Sequence, residues 1–186
     1  MKKQFEYEKD RPKKDRIRDE LINCIKKYNV KKILILESPK FEIVKRLPNI
    51  KFLVYEKNYK TYMAMQKTKT KFKNIYLTRG NVANFKSSKL KADVIYLDFC
   101  GTFSGEKDNI LALKDKIKVS KFFIVTFSPH EPRQKFEGIS NFYLSIAGRL
   151  QRLLDMRLDI VFGEDYYDTC PMVTIGFEPK INNLEV

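Results

Sequence analysis

Short runs of apolar residues recur at fairly regular intervals through the first two thirds of the chain. They are residues 33–36, 52–55, 75–77, 94–97 and 122–125. Apolar runs without alternation are typical of strands that are buried on both faces of a parallel sheet. Helix-like segments lie between them at 41–47, 59–67 and 110–118, and residues 15–28 repeat apolar positions at the spacing of one helix face. The alternation predicts a doubly wound α/β fold, with a mostly parallel sheet and helices on both of its faces.

The carboxyl-terminal third has a different pattern. Residues 136–156 place apolar side chains on one helical stripe, and two β-rich runs follow at 158–162 and 172–177. The segment from Gly163 to Pro171 contains Gly, Asp and Pro, which favours a turn between strands over a crossover helix. The last two strands are therefore predicted to form an antiparallel hairpin that completes a seven-stranded sheet.

Length and residue types narrow the class of protein. The 186 residues suit one domain over 1–186, with a basic segment and helix at 1–30. No stretch approaches the ~20 apolar residues of a membrane-spanning helix, and residues 1–10 alternate Lys with Glu, so we expect a cytoplasmic protein with no membrane partner. Three distant cysteines, Cys24, Cys100 and Cys170, with a single histidine argue against a disulfide scaffold and a metal site.

Positive charge is the strongest signal in the composition. The formal net charge is +14, and residues 1–75 carry 22 basic and 9 acidic side chains, whereas residues 76–186 carry 15 and 14. An excess of this size concentrates polyanions around a protein. It predicts contact with a nucleic acid, RNA or DNA, through the basic amino-terminal half. The alternative is a lysine-rich surface of the kind found in thermophiles.

Polar residues or glycine follow each predicted parallel strand. They are Glu37, Glu56, Gly80 with Asn81, Asp98 and Ser128. In an open α/β sheet the ligand lies in the crevice beyond the carboxyl ends of the strands, so we expect the functional residues to collect there.

Five parallel strands alternating with helices, closed by a helix and a hairpin, resemble the class I S-adenosylmethionine-dependent methyltransferases over nearly the whole chain. The resemblance implies S-adenosylmethionine as cofactor. It implies that Glu56 accepts hydrogen bonds from the ribose hydroxyls and that the stem of Lys57 packs on the adenine. Gly80-Asn81-Val82 is similar to the family's Gly-Asp-x segment, in which the side chain binds the adenine amino group and the next amide binds a ring nitrogen. An ordinary strand-end turn is the alternative at each position.

The loop after the first strand departs from the family pattern. Glu37, Ser38, Pro39 and Lys40 stand where the family has a glycine-rich turn, and no glycine precedes Gly80. We expect Ser38 to cap the following helix and Pro39 to open it, with Glu37 holding the amino group of the cofactor. Two outcomes stay open: a divergent loop that still binds cofactor, or a catalytically silent module that binds nucleic acid.

Residues 98–102 carry the most distinctive motif. Asp98-Phe99-Cys100-Gly101-Thr102 resembles the Asp-Pro-Phe-Gly-Ser/Thr of enzymes that methylate guanine N2 in tRNA, without the proline. This implies that Asp98 holds the hydrogens of an amine, beside the cofactor, and that Phe99 stacks on a base. The motif favours RNA over DNA as acceptor. Cys100 suggests a rival, a thiolate nucleophile, but a cysteine at a buried strand end is usually a small hydrophobic residue.

Three further sets of residues have both a functional and a structural interpretation. His130 follows the fifth strand and could act as a base or simply belong to a loop. Glu164, Asp165 and Asp168 suggest a magnesium nuclease, but their predicted place in an exposed turn argues against it. Arg149, Arg152 and Arg157 could contact phosphates or solvate the outer face of the last helix.

Overall fold

A computed structural model describes residues 11–128, 139–167 and 171–180 of the chain. The helices are α1 (Arg11–Lys27), α2 (Glu42–Arg46), α3 (Tyr59–Lys69), α4 (Phe103–Ala112), α5 (Lys114–Lys118) and α6 (Ile139–Leu154), with a short 3-10 helix at Val82–Ser87. The strands are β1 (Lys32–Ile35), β2 (Lys51–Glu56), β3 (Ile75–Arg79), β4 (Val94–Asp98), β5 (Phe122–Phe127), β6 (Arg157–Tyr167) and β7 (Pro171–Lys180).

The seven strands form one sheet in the order β3-β2-β1-β4-β5-β7-β6. Strands β1 to β5 are mutually parallel, and β7 runs antiparallel to both β5 and β6. This confirms the predicted doubly wound α/β fold with a carboxyl-terminal antiparallel hairpin. The chain reverses its direction of winding between β1 and β4, and a switch of this kind opens a crevice at the carboxyl ends of the two strands.

Two apolar layers cover the sheet, and its central strands β1, β4 and β5 are buried on both faces. On one face, α1, α2 and α3 pack through residues such as Leu21, Val44 and Met65. On the other, the 3-10 helix, α4, α5 and α6 pack through residues such as Phe85, Ile110 and Leu150. None of the helices within the described ranges is both long and apolar enough to cross a membrane.

Two local predictions are wrong. The predicted turn from Gly163 to Pro171 is mostly strand: β6 continues to Tyr167, and Glu164 and Asp165 pair in register with β7. Tertiary pairing with β7 overrides the turn propensity of these residues. The helix predicted to start at Pro39 starts instead at Glu42, after a turn in which Ser38 accepts the amide hydrogen of Phe41 at 3.1 Å.

The amino-terminal helix is fixed to the last strands. Lys13 forms an ion pair with Asp165 at 3.3 Å, and Arg16 forms one with Glu164 at 3.7 Å. Ile17 is buried against Met172. Helix α1 therefore lies alongside the strand ends, where it contributes to the wall of the crevice.

Candidate functional site

A cavity of about 680 Å³ lies at the carboxyl ends of β1, β2, β3 and β4. Its size falls within the range of sites for cofactors and other small molecules. The wall includes ten residues that the sequence analysis assigned to the site: Glu37, Ser38, Pro39, Glu56, Lys57, Asn81, Val82, Asp98, Phe99 and Cys100. The strand-end positions of β1 to β4 therefore converge on one space, and the first loop lines that space without filling it. Ser128, which follows β5, is buried and does not line the cavity.

The carboxylate of Glu37 organises the first loop. One oxygen, Oε1, accepts the amide hydrogen of Ser38 at 2.9 Å, and Oε2 accepts that of Ile43 at 3.3 Å. The hydroxyl of Ser38 accepts the amide hydrogen of Lys40 at 3.3 Å. Ser38 thus closes a turn and does not cap a helix, while the start of α2 is held by Glu37.

Phe41 explains how this loop turns without glycine. Its backbone is left-handed (φ 51°, ψ 47°), a conformation that costs a residue with a side chain roughly 1–2 kcal/mol. The ring of Phe41 is fully buried and meets Phe72 edge to face, with the ring centroids 5.8 Å apart. Burial of a large aromatic side chain offsets the cost of the turn. The loop is therefore fixed by packing, where the family pattern uses glycine.

Glu37 also has a strongly perturbed pKa. Burial raises its pKa to about 7, and the Asp98 carboxylate adds to the rise, whereas the amides of Ser38 and Ile43 and the charge of Arg18 oppose it. A cation placed in the cavity would favour the ionised carboxylate. Glu37 therefore changes protonation near neutral pH at the wall of the cavity.

Glu56 is the last residue of β2, and it is half-buried. Its Oε1 accepts the amide hydrogen of Asn58 at 2.5 Å, and Asn58 in turn caps α3 by accepting the amide hydrogen of Thr61 at 3.1 Å. These contacts fix the carboxylate at the rim, with Oε2 as a further acceptor. Lys57 follows it as an exposed residue of the cavity wall.

Asn81 follows Gly80 after β3 and caps the 3-10 helix. Its Oδ1 accepts the amide hydrogen of Ala83 at 2.9 Å, while Val82 is buried. Gly80 has φ 154°, and a Cβ there would lie 3.3 Å from the side-chain nitrogen of Asn84. The amide oxygen of Asn81 can accept a second hydrogen bond, since a carbonyl has two lone pairs.

The segment after β4 is fixed on both sides. Gly101 accepts the amide hydrogen of Ser128 at 2.9 Å, and the Thr102 hydroxyl caps α4 by accepting the amide hydrogen of Gly105 at 3.3 Å. Asp98 is exposed on the cavity wall. Cys100 is exposed too, so the expectation of a buried thiol is wrong. The strand ends at Asp98, and the chain carries Cys100 out of the core.

Phe99 does not occupy the position that base stacking requires. It is 5% exposed, and its ring stacks on Phe127 with the centroids 6.0 Å apart. Phe103 packs edge to face on the same Phe127 ring at 5.6 Å. Phe99 is therefore a core residue that supports the loop, and the interpretation of its ring as a platform for a base does not fit this placement.

The sequence analysis missed the walls that helices contribute. Lys14, Ile17 and Arg18 of α1 line the cavity, as do Glu106 and Asn109 of α4. Glu106 accepts a hydrogen bond from Asn109 at 2.6 Å. Helical periodicity showed that α1 is amphipathic, but docking of its first half on the strand ends depends on partners about 150 residues away.

The remaining candidates that the structure describes do not line the cavity: Arg149, Arg152, Arg157, Glu164 and Asp165. Arg149 lies 4.6 Å from the centroid of the Phe103 ring, and Arg157 donates to Asp159 at 2.8 Å. His130 and Asp168 lie outside the described residues, as does Cys170. Within the described ranges, no three His, Cys, Asp or Glu side chains come together as metal ligands would.

Comparison with solved structures identifies the fold. The chain is similar to the N-methyltransferase NodS from Bradyrhizobium japonicum WM9, with a TM-score of 0.62, 11% identity, and coverage of 92% of this chain and 99% of that one. NodS in complex with S-adenosyl-L-homocysteine gives a TM-score of 0.63 at 11% identity, covering 92% and 90%. The methyltransferase domain of bacterial CtHen1 gives 0.60 at 11% identity, covering 89% and 99%.

A fibrillarin pre-rRNA processing protein from Methanococcus jannaschii is also similar, with a TM-score of 0.56, 15% identity, and coverage of 81% of this chain and 67% of that one. No family model matches the sequence, and no curated protein matches it. The protein therefore has the fold of the class I S-adenosylmethionine-dependent methyltransferases, at low sequence identity.

Proposed function

We propose that this protein is an S-adenosylmethionine-dependent methyltransferase that acts on a nucleic acid, RNA in preference to DNA. The observation that carries the proposal is the cavity at the carboxyl ends of β1 to β4, which has carboxylates at three of the four strand ends. Glu37 follows β1, while Glu56 and Asp98 end β2 and β4. The fold supports the same reaction class, because it is shared with methyltransferases.

The donor groups of the wall fit the parts of this cofactor. Glu37 is suited to the cationic amino group, which would shift its carboxyl to the ionised form. Glu56 is suited to the ribose hydroxyls, since Oε2 remains as an acceptor at the rim. Asn81 and the amide of Val82 are suited to the edge of the adenine, and the stem of Lys57 to its face.

When bound, S-adenosylmethionine would supply a methyl group on a sulfonium; a nucleophile of the acceptor would take the methyl as its bond to sulfur breaks, which leaves S-adenosylhomocysteine. For an amine acceptor, the Asp98 carboxylate accepts an N–H hydrogen, which directs the nitrogen lone pair toward the methyl group. The fixed backbone at Gly101 and Thr102 holds Asp98 at the mouth of the cavity. Asp98 thus positions the acceptor and can take the proton that the amine loses.

Nucleic acid is favoured as acceptor by the net charge of +14. The similarity to a pre-rRNA processing protein adds support for RNA. The test is to incubate the protein with methyl-labelled S-adenosylmethionine and total RNA, total DNA or protein extract in separate reactions. Label in the RNA alone is expected. Label in protein with none in either nucleic acid would contradict the acceptor class.

Cofactor binding is tested by calorimetry with S-adenosylmethionine and S-adenosylhomocysteine. Glu56→Ala should weaken binding about tenfold or more, since a hydrogen bond to a charged group contributes ~1.5–3 kcal/mol. Glu42→Ala is the matched control, because Glu42 also lines the cavity but has no assigned contact with the ligand. Equal affinities of wild type and Glu56→Ala for the ligand would contradict the assignment of Glu56 to the ribose hydroxyls.

The catalytically silent module is the second candidate. It is favoured by the first loop, whose Glu37 carboxylate already accepts hydrogen bonds from Ser38 and Ile43. The same calorimetry separates the two functions. A ligand that binds only the folded state must raise its stability. Absence of binding heat and of thermal stabilisation at millimolar ligand would therefore contradict the methyltransferase proposal and support the catalytically silent module.

A further inference from the structure

One side of the molecule carries positive charge with no acid to balance it. Residues 57–87 contain eight Lys and Arg residues and neither Asp nor Glu. They form α3, β3 and the 3-10 helix, and β3 is the outermost strand on that side of the sheet. Seven of the eight cations are exposed, and Lys69 is half-buried. We call this surface the β3 edge.

Several basic residues of α1 and α2, in contrast, are paired with acids. Lys13 and Arg16 form ion pairs with β6, and Arg46 forms one with Asp15 at 2.7 Å. Within the described part of the chain, none of the eight cations of the β3 edge forms an ion pair. The β3 edge is therefore a continuous stretch of unbalanced charge, whereas the charge of α1 and α2 is partly neutralised by acids. Unbalanced like charges repel one another and destabilise the fold, unless a polyanion neutralises them.

Exposed aromatic rings lie among these cations. Tyr59 is 56% exposed and Tyr76 is 53% exposed. The guanidinium of Arg79 lies 4.9 Å from the centroid of the Tyr59 ring. A basic surface with exposed aromatic rings is the arrangement that binds single strands, because phosphates meet the cations and unpaired bases stack on the rings.

The β3 edge is continuous with the rim of the cavity. Lys57 and Asn81 line that cavity, and Arg79 pairs in register with Glu56. Lys71 and Lys73 precede β3 and lie toward the opposite end of the sheet. A single strand of nucleic acid bound along β3 would thus pass from the amino-terminal ends of the β-strands to the mouth of the cavity.

We propose that the β3 edge binds an unpaired segment of RNA next to the nucleotide that enters the cavity. The inference rests on the proposed function for its choice of RNA and names the surface on which the acceptor docks. Charge complementarity and exposed tyrosines argue for this occupant. A membrane or a duplex would use the cations but not the ring faces.

The test measures the anisotropy of an end-labelled RNA of about 16 nucleotides, without self-complementarity, as a function of salt. Lys67→Gln/Lys71→Gln/Lys73→Gln removes three exposed cations of the edge. Lys31→Gln/Lys107→Gln/Lys118→Gln is the matched control, since it removes three exposed cations elsewhere. The edge variant should weaken binding about tenfold or more at 0.1 M salt and make the salt slope shallower by about two, whereas the control should change Kd less than about threefold.

Stacking is tested at Tyr76. Tyr76→Ala should weaken binding of the single strand about fivefold or more, Tyr76→Phe should retain it, and binding of the matching duplex should be insensitive to both changes. Thermal unfolding of each variant verifies that it is folded. Tighter binding of a duplex, or of vesicles with anionic lipid, than of the single strand would overturn the proposal, as would equal losses in the two triple variants.

Calorimetry with S-adenosylhomocysteine on the same samples separates the two proposals. Cofactor binding without RNA binding would overturn the docking surface and leave the methyltransferase in place. RNA binding through the β3 edge without cofactor binding would overturn the enzyme and leave the docking surface.

Discussion

Titration of Glu37 should make cofactor binding depend on pH near neutrality. Burial raises its pKa to about 7 in the ligand-free protein, with Asp98 adding to the rise. A cationic amino group held by the carboxylate would lower that pKa, because it favours the ionised form. Affinity should therefore be constant above about pH 8 and fall as the pH drops through 7. Glu37→Gln removes the titrating group and leaves a neutral acceptor in its place.

The size of the effect follows from the ionised fraction. With a pKa of about 7, roughly nine tenths of the protein carries ionised Glu37 at pH 8 and roughly one tenth at pH 6. The Kd for S-adenosylhomocysteine should then be about tenfold weaker at pH 6 than at pH 8, with release of close to one proton on binding at pH 6. The net proton release is read by calorimetry in buffers of different ionisation enthalpy.

The difference between wild type and Glu37→Gln isolates this contribution from the titration of the ligand itself. Glu42→Gln should retain the pH dependence, because Glu42 lines the cavity but belongs to α2. Identical pH profiles for wild type and Glu37→Gln would refute the contact between Glu37 and the ligand.

The ligand-free protein provides an independent check. Because the folded pKa of Glu37 lies above its unfolded value of 4.5, the associated stability is present below about pH 4.5 and is lost as the pH rises through about 7. The free energy of unfolding that is lost in this way amounts to about 3 kcal/mol. Glu37→Gln, which does not titrate, should therefore lose less stability than wild type between pH 5 and pH 8 in urea unfolding.

Three further predictions concern stability, each measured by urea unfolding. Thr126 and Thr174 share a buried hydrogen bond of 2.9 Å between their hydroxyls. Changing either one to Val leaves the other hydroxyl unpaired and should lower the free energy of unfolding by about 1–3 kcal/mol, whereas changing both should lower it much less. Additive losses would contradict this. A Cβ at Gly176 would lie 2.3 Å from the Phe162 ring, so Gly176→Ala should lower the free energy of unfolding by about 1–3 kcal/mol. Gly105→Ala in α4 is the control and should raise it by about 0.5–1 kcal/mol. Equal effects of the two changes would contradict the packing argument. Burial opposes ionisation of Asp93, but the amides of Lys31 and Lys32 and the charge of Lys121 outweigh this effect and lower its pKa. Asp93→Asn should therefore lower the free energy of unfolding by about 1 kcal/mol at pH 7, and by less as the pH falls below 3.8, the unfolded pKa. A cost that is independent of pH would contradict a role for the charge.

The fold could be predicted because strand burial leaves a strong local signal. The runs at 33–36 and 122–125 differ from β1 and β5 by two residues or fewer at each end. The first loop could not be predicted in this way, since its shape depends on the Phe41 ring packing on Phe72, which is distant in sequence. The turn prediction at Glu164 and Asp165 failed for a similar reason: these acids are held in β6 by β7 and by cations of α1.

The candidate site shows the same contrast between features that follow from the local sequence and features that depend on long-range packing. Strand ends converge by topology alone, so Glu37, Glu56 and Asp98 could be brought together from the sequence. Exposure depends on the path of the chain after each strand. Phe99 turns into the core while Cys100 turns out of it, and both were misjudged. The contribution of α1 to the cavity was missed because it depends on contacts between the two ends of the chain.

The attachment of α1 to β6 also bears on the order of folding. The contact between Lys13 and Asp165 spans 152 residues, and Ile17 packs on Met172 from the last strand. Contacts of such large sequence separation form late, since the loop-closure entropy must be overcome first. During synthesis the first helix emerges long before its partner strands exist. The part of the crevice wall that α1 contributes is therefore in place only once β6 and β7 have formed, so a chain that lacks the hairpin has an unfinished binding site.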